Sequence, residues 1–140
     1  MIITRVELKP CVMRKEDPTW RFALGANPVT EGVVVTLTAE NGAQGFGYGS
    51  ATPHMGATRE TLMSALTRFT PLVTGRDCMA VEEILQLLDS DLAGNNQAKA
   101  AIDCALHDLN ARILKKEGKV DKTVIDRILD ANARALYGLN

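Results

Sequence analysis

The chain has 140 residues, 46% of them hydrophobic and 24% charged. That is one domain's worth, able to bury roughly two-thirds of its unfolded surface, and it falls outside the collagen-like, disordered and disulfide-scaffold classes. Sixteen basic against seventeen acidic side chains leave a net charge of −1, and aromatics make up 4%, which gives no pull toward phosphate backbones or anionic membranes and no base-stacking platform.

Neither nucleic acid nor membrane is therefore an expected partner. The start, Met1-Ile2-Ile3-Thr4-Arg5, lacks the layout of a signal peptide, and no apolar run approaches the roughly 20 residues that span a bilayer, so a cytoplasmic chain is expected. Cys11, Cys78 and Cys104 are odd in number and widely spaced, without a C-x-x-C, and read as reduced structural thiols.

Residues 3–13 alternate loosely and carry Pro10, which lacks an amide donor and so favours an edge strand or a bulge. Residues 17–31, with Pro18, Gly25 and Pro28, predict a loop. From Gly32, Val33-Val34-Val35-Thr36-Leu37-Thr38 is a β-branched, alternating strand, and Asn41-Gly42 predicts a two-residue hairpin turn with positive φ values. The returning strand through Phe46 and Tyr48 places Gly45, Gly47 and Gly49 on one bare face, because strand side chains alternate.

After a second loop, residues 50–57, the period becomes helical. Thr58 predicts an N-cap, Leu62, Leu66, Phe69 and Val73 form one stripe, and Pro71 is expected to kink the helix or end it early. Gly75 closes it, and Asp77 is expected to cap the next helix, whose Val81, Ile84, Leu85, Leu88 and Leu92 form a second stripe ended by Gly94. A third helix begins at Asn95 or Asn96. Its stripe of Ala98, Ala101, Ile102, Ala105, Leu106, Leu109 and Ile113 is rich in small residues and suits close contact with a neighbouring helix or the glycine face. Residues 115–119 form a charged break, and Asp121 then predicts the cap of a last helix with Ile125, Ile128, Leu129, Ala135 and Leu136 inward and Gly138 as its stop. The fold class is α+β, a three-stranded antiparallel meander followed by a bundle of three to four helices.

Few residues suggest chemistry. The cluster Gly45-Phe46-Gly47-Tyr48-Gly49-Ser50 departs from G-x-G-x-x-G at Ser50 and lies in a hairpin strand rather than between a strand and a helix. Gly49-Ser50-Ala51 is not a nucleophile elbow. Asp103 and His107 share a helix face, where two ligands are too few for a metal site and an internal hydrogen bond explains them. Glu82-Glu83 and Asp89-x-Asp91 read as a solvated face. His54 stands in a loop, facing either a ligand or solvent. No base, nucleophile and orienting group can be assembled from these motifs.

Several segments together resemble the N-terminal capping domain of the mandelate racemase and muconate-lactonizing branch of the enolase superfamily. They are Trp20-Arg21-Phe22-Ala23-Leu24-Gly25, the hairpin from Glu40 to Gly49, and Ala100-Ala101-Ile102-Asp103-Cys104-Ala105-Leu106-His107-Asp108-Leu109. The last is close to that family's A-I-D-x-A-L-x-D-L signature, and Tyr48 stands where many members carry Glu. The resemblance implies a capping domain over residues 1–114 and a divergent C-terminal helix over 115–140.

In such a family a base removes a proton α to a carboxylate and Mg²⁺ held by three acidic residues stabilises the enolate, all on a (β/α)₈ barrel after the cap. A barrel needs at least about 200 residues, and this sequence contains no K-x-K pair. The expectation is a stand-alone cap with no catalytic residue, metal ligand or cofactor of its own. By position, two lid loops correspond to residues 17–29 and 50–56. They make Trp20, Phe22, Thr52, His54 and Met55 the candidate substrate contacts, unless Trp20 and Phe22 simply cover the sheet. Ile125 to Leu139 resembles the closing helix of metal-dependent amidohydrolases.

Three readings follow. One is a non-catalytic cap remnant, the second a self-associating binding module or detached lid for a separate barrel chain, and the third an independent enzyme using His54 or Cys11. An isolated cap would expose the side that normally meets the barrel, so a homodimer is expected.

Overall fold

The structure is a computed structural model that describes residues 1–17, 19, 21–23, 25–26, 29–119 and 121. The predicted last helix, with Ile125, Ile128, Leu129, Ala135 and Leu136, lies outside these residues, as does Trp20. Chain order runs β1 (Ile3–Arg14), β2 (Arg21–Phe22), β3 (Gly25–Ala26), β4 (Val29–Ala39), β5 (Gln44–Ser50), a 3₁₀ turn (Pro53–Met55), α1 (Arg59–Val73), α2 (Val81–Asp91) and α3 (Asn96–Lys116). β1, β4 and β5 make the expected antiparallel sheet in that order, so β1, which carries Pro10, is an edge strand. The ladder's irregularity sits between Ile3 and Arg5, not at the proline.

The sheet's inner face explains how the helices seat. On β4, Val33, Val35 and Leu37 are fully buried, and their ladder partners on β5 are Gly49, Gly47 and Gly45. A Cβ on Gly47 would overlap the Ala101 carbonyl oxygen, and one on Gly45 the Ala105 carbonyl oxygen, so α3 rests directly on the bare strand. Two residues of strand advance about 6.6 Å and four residues of helix about 6 Å. Glycines at every second strand position therefore meet helix positions Gln97, Ala101, Ala105 and Leu109, spaced by four. All seven residues of the α3 stripe are buried, as are Leu62, Leu66, Phe69 and Val73 of α1 and Ile84 and Leu88 of α2.

Several expectations are corrected. Residues 17–31 are not all loop: β2 and β3 pair as a small hairpin, Arg21 opposite Ala26 and Phe22 opposite Gly25, and β4 starts at Val29. The β4–β5 turn has three residues. Gly42 N–H donates to Ala39 O at 2.8 Å, Gly42 alone takes positive φ (79°), and Asn41 accepts the Ala43 amide through its side chain instead.

Pro71 lies inside α1 without ending it, because the fully buried Phe69 and Val73 pin the last turn to the core across the missing hydrogen bond. Asp77 does not cap α2, whose N-cap is Ala80. Its Oδ1 instead accepts the Met79 amide at 3.1 Å and the Met1 ammonium at 2.9 Å, which hold its carboxyl below the usual carboxylate range. Thr58 is the expected cap and forms a reciprocal capping box with Thr61.

The acidic residues of α2 are not merely solvated: Asp91 takes Arg68 of α1 at 2.6 and 3.0 Å, Asp89 takes Lys99 of α3 at 2.7 Å, and Glu83 takes Arg76 at 3.1 Å. Each pair keeps one partner exposed to solvent and contributes at most about 1 kcal/mol.

Asp108, the last acid of the signature, ties α3 to the β5 edge. Its Oδ2 accepts the Phe46 N–H at 2.9 Å and Arg112 Nε at 2.9 Å, while the Arg112 guanidinium lies 5.2 Å from the Phe46 ring centroid. Asp108→Ala leaves that edge amide without its charged acceptor and is expected to cost about 1–2 kcal/mol in urea denaturation. Asp103→Ala, whose His107 contact at 3.3 Å is exposed, is expected to change stability by less than about 0.5 kcal/mol.

Candidate functional site

The strand register brings both predicted loops to one end of the sheet. β1 ends at Arg14 opposite Val29, so the chain leaves β1 and enters β4 at that end, and β5 ends at Ser50 opposite Gly32, three rungs away. Three of the five candidate contacts, Thr52, His54 and Met55, share one tight turn there. Phe22 lies on β2, paired with Gly25.

The turn is held by its own backbone. Thr52 and Ala57 form an antiparallel bridge, with Thr52 N–H donating to Ala57 O at 2.7 Å. Met55 N–H donates to Thr52 O at 2.7 Å and Gly56 N–H to Pro53 O at 3.0 Å. Pro53 opens the 3₁₀ turn, where no amide is needed, and Gly56 takes the left-handed conformation (φ 84°) that reverses the chain. Ala57 is buried beneath. With the backbone so occupied, His54 and Met55 project outward, Met55 at 70% exposure.

Thr52 is half-buried and its Oγ1 accepts from Gln97 Nε2 at 3.0 Å. Gln97 was not among the candidates, although the glycine face that lets α3 approach is legible in the sequence and Gly49 lies beneath Gln97. The charged groups around the turn are Glu31 and Arg59, 3.7 Å apart, and Glu60, 3.3 Å from Arg59. Tyr48 lies over Gly32 on the sheet's outer face, where a Cβ would overlap its ring, and burial pushes its phenol up.

Among the described residues no three His, Cys, Asp or Glu side chains are grouped so as to hold a metal ion. The Asp103–His107 pair is a two-residue contact on one helix face, as expected. The cysteines are free, and burial pushes the Cys78 thiol up, away from thiolate chemistry. An open groove beside Phe46, Arg112 and Lys115 lies at the opposite end of the sheet, by the 40–43 turn. No described helix is long and apolar enough to cross a membrane. The turn presents a hydroxyl, an imidazole and a thioether from Thr52, His54 and Met55.

The family described as "Mandelate racemase / muconate lactonizing enzyme, N-terminal domain" matches residues 6–117. The chain is 41% identical over 86 residues to a chloromuconate cycloisomerase from Cupriavidus necator, covering 59% of this chain and 23% of that one. It is 32% identical over 117 residues to an L-Lys-D/L-Arg epimerase from Desulforapulum autotrophicum, covering 78% and 32%. Its fold is similar to that of a dipeptide epimerase from Enterococcus faecalis V583 complexed with Mg and the dipeptide L-Leu-L-Tyr, with a TM-score of 0.76, 26% identity, and coverage of 81% of this chain and 32% of that one. The chain thus spans about a quarter to a third of the length of the relatives it matches.

Proposed function

The chain belongs to the mandelate racemase / muconate lactonizing enzyme N-terminal domain family, and from that premise we propose that it is a capping domain that closes the mouth of a Mg²⁺-dependent (β/α)₈ barrel acting on carboxylates. The barrel supplies the metal and the base, and the Mg²⁺ enolate chemistry is the barrel's. The residues of this chain exclude water from the mouth and select the substrate. Thr52, His54 and Met55 meet the ligand from one turn, and Trp20 and Phe22 are the further contacts that the family resemblance implies. The observation that carries this reading is the tightly hydrogen-bonded 52–57 turn with its outward His54 and Met55, set at the end of the sheet where β1 ends and β4 begins.

The test is a graft. Residues 51–57 of this chain, placed in the cap of the Enterococcus faecalis dipeptide epimerase, are expected to change the ratio of kcat/KM between two dipeptides by tenfold or more, the range a changed pocket contact commands. An unchanged ratio with intact folding contradicts a specificity role.

A second reading rests on the exposed Val12, Met13 and Met55, at 54%, 45% and 70%. Without a barrel over it, this apolar end pairs with a second copy, and the chain is a self-associating module or a detached lid that exchanges one partner for the other. Light scattering at tens of micromolar is expected to give a dimer mass that falls to monomer in Met13→Lys. A monomer for the unaltered chain contradicts self-association.

A further inference from the structure

We propose that Gln97 is a positioning residue that turns the Thr52 hydroxyl into a hydrogen-bond donor aimed at an acceptor oxygen of the ligand, a carboxylate or carbonyl. This rests on the capping-domain reading for its functional half and on geometry alone for its structural half.

The geometry begins at Gly49. With no side chain there, the first turn of α3 settles so close that a Cβ would stand 3.0 Å from the Gln97 carbonyl oxygen. From that seat the Gln97 side chain reaches across 45 positions of sequence to Thr52, donating Nε2–H to Oγ1 at 3.0 Å in a half-buried setting. A threonine hydroxyl has two lone pairs and one proton. The amide takes a lone pair, and among the described residues no acceptor takes the proton. A neutral donor thus stands at the base of a turn whose His54 and Met55 side chains face outward, on a backbone whose amides at residues 52, 55, 56 and 57 are bonded within the turn. Such a donor suits an oxygen that stays an acceptor throughout proton abstraction next to it.

Two variants of the full chain separate positioning from simple support. Gln97→Leu removes the donor, and the amides of residues 55–57 are expected to exchange with deuterated water about tenfold faster while those of 101–109 are unchanged. Gln97→Glu keeps a partner of the same length but accepts the Thr52 proton, so it is expected to restore slow exchange in the turn. In turnover of a dipeptide by the cap combined with a barrel, Gln97→Glu is nevertheless expected to raise KM about tenfold with kcat retained, because the hydroxyl's proton is now engaged. Unchanged exchange in Gln97→Leu overturns the Gln97–Thr52 latch on the turn. Restoration of both exchange and KM in Gln97→Glu overturns the polarity assignment and leaves Gln97 a structural support only. If the unaltered chain supports no turnover with any barrel, the capping reading has failed, and the exchange results still decide the latch.

Discussion

Gly47→Ala is expected to destabilise the fold by about 3 kcal/mol, the upper range for forcing a methyl into a packed interior. The new Cβ would overlap main-chain atoms of Ala101 and stand against the Ala105 nitrogen, and a helix backbone cannot swing aside as a flexible side chain can. The substitution must lift α3 off β5, which loosens the contacts of Ala101, Ala105 and Leu109 together. In a thermal melt this corresponds to a fall in Tm of about 10 °C for a chain of this size. Gly42→Ala gives the contrast. Nothing lies within 4 Å of its Cβ, but φ is +79°, so it is expected to cost only about 1 kcal/mol, through backbone strain. A Gly47→Ala variant as stable as Gly42→Ala contradicts direct seating of α3 on the strand.

Phe69→Ala is the second large effect. The ring is fully buried in the core shared by α1, the sheet and α2, and it anchors the final turn of α1 beyond Pro71's missing hydrogen bond. Removing it leaves a cavity and frees that turn, at an expected cost of about 4 kcal/mol. A domain of ordinary stability, about 5–15 kcal/mol, keeps little reserve after such a loss. Phe69→Leu fills most of the space and is expected to cost well under half as much in denaturant titration. Equal losses for the two variants contradict a tightly packed ring.

These two residues also mark what could be read from the sequence. Periodicity identified Phe69 and the seven-residue stripe of α3, because apolar spacing of 3.6 is a direct consequence of burying one helix face. The alternating glycines announced a bare strand face awaiting a close helix, and the A-I-D-x-A-L-x-D-L signature supplied the family and through it the two loops.

What stayed hidden depends on contacts between distant segments. Asp77 satisfies local cap chemistry on paper, yet the amino terminus and the Met79 amide claim its carboxylate. Asn41-Gly42 is compatible with a two-residue turn, but Asn41 uses its side chain to bond Ala43 and leaves the positive φ to Gly42. Pro71 is expected to kink α1 or end it early, yet the helix runs on through the buried Val73. Gln97 is a polar residue in a first helical turn, and its importance emerges only when Gly49 places that turn above Thr52. Of the candidate contacts, Thr52, His54 and Met55 prove to be neighbours in one ordered turn, a grouping that adjacency in sequence already suggested.

The central claim, that this chain shapes a mouth and does no bond-making itself, is tested most directly by NMR detection of α-proton exchange. Dipeptide is incubated in deuterated water with Mg²⁺ and either the chain alone or the chain combined with the (β/α)₈ barrel of an epimerase relative. No α-deuteration is expected with the chain alone and cap-dependent deuteration with the barrel; α-deuteration by the chain alone contradicts a purely shaping role.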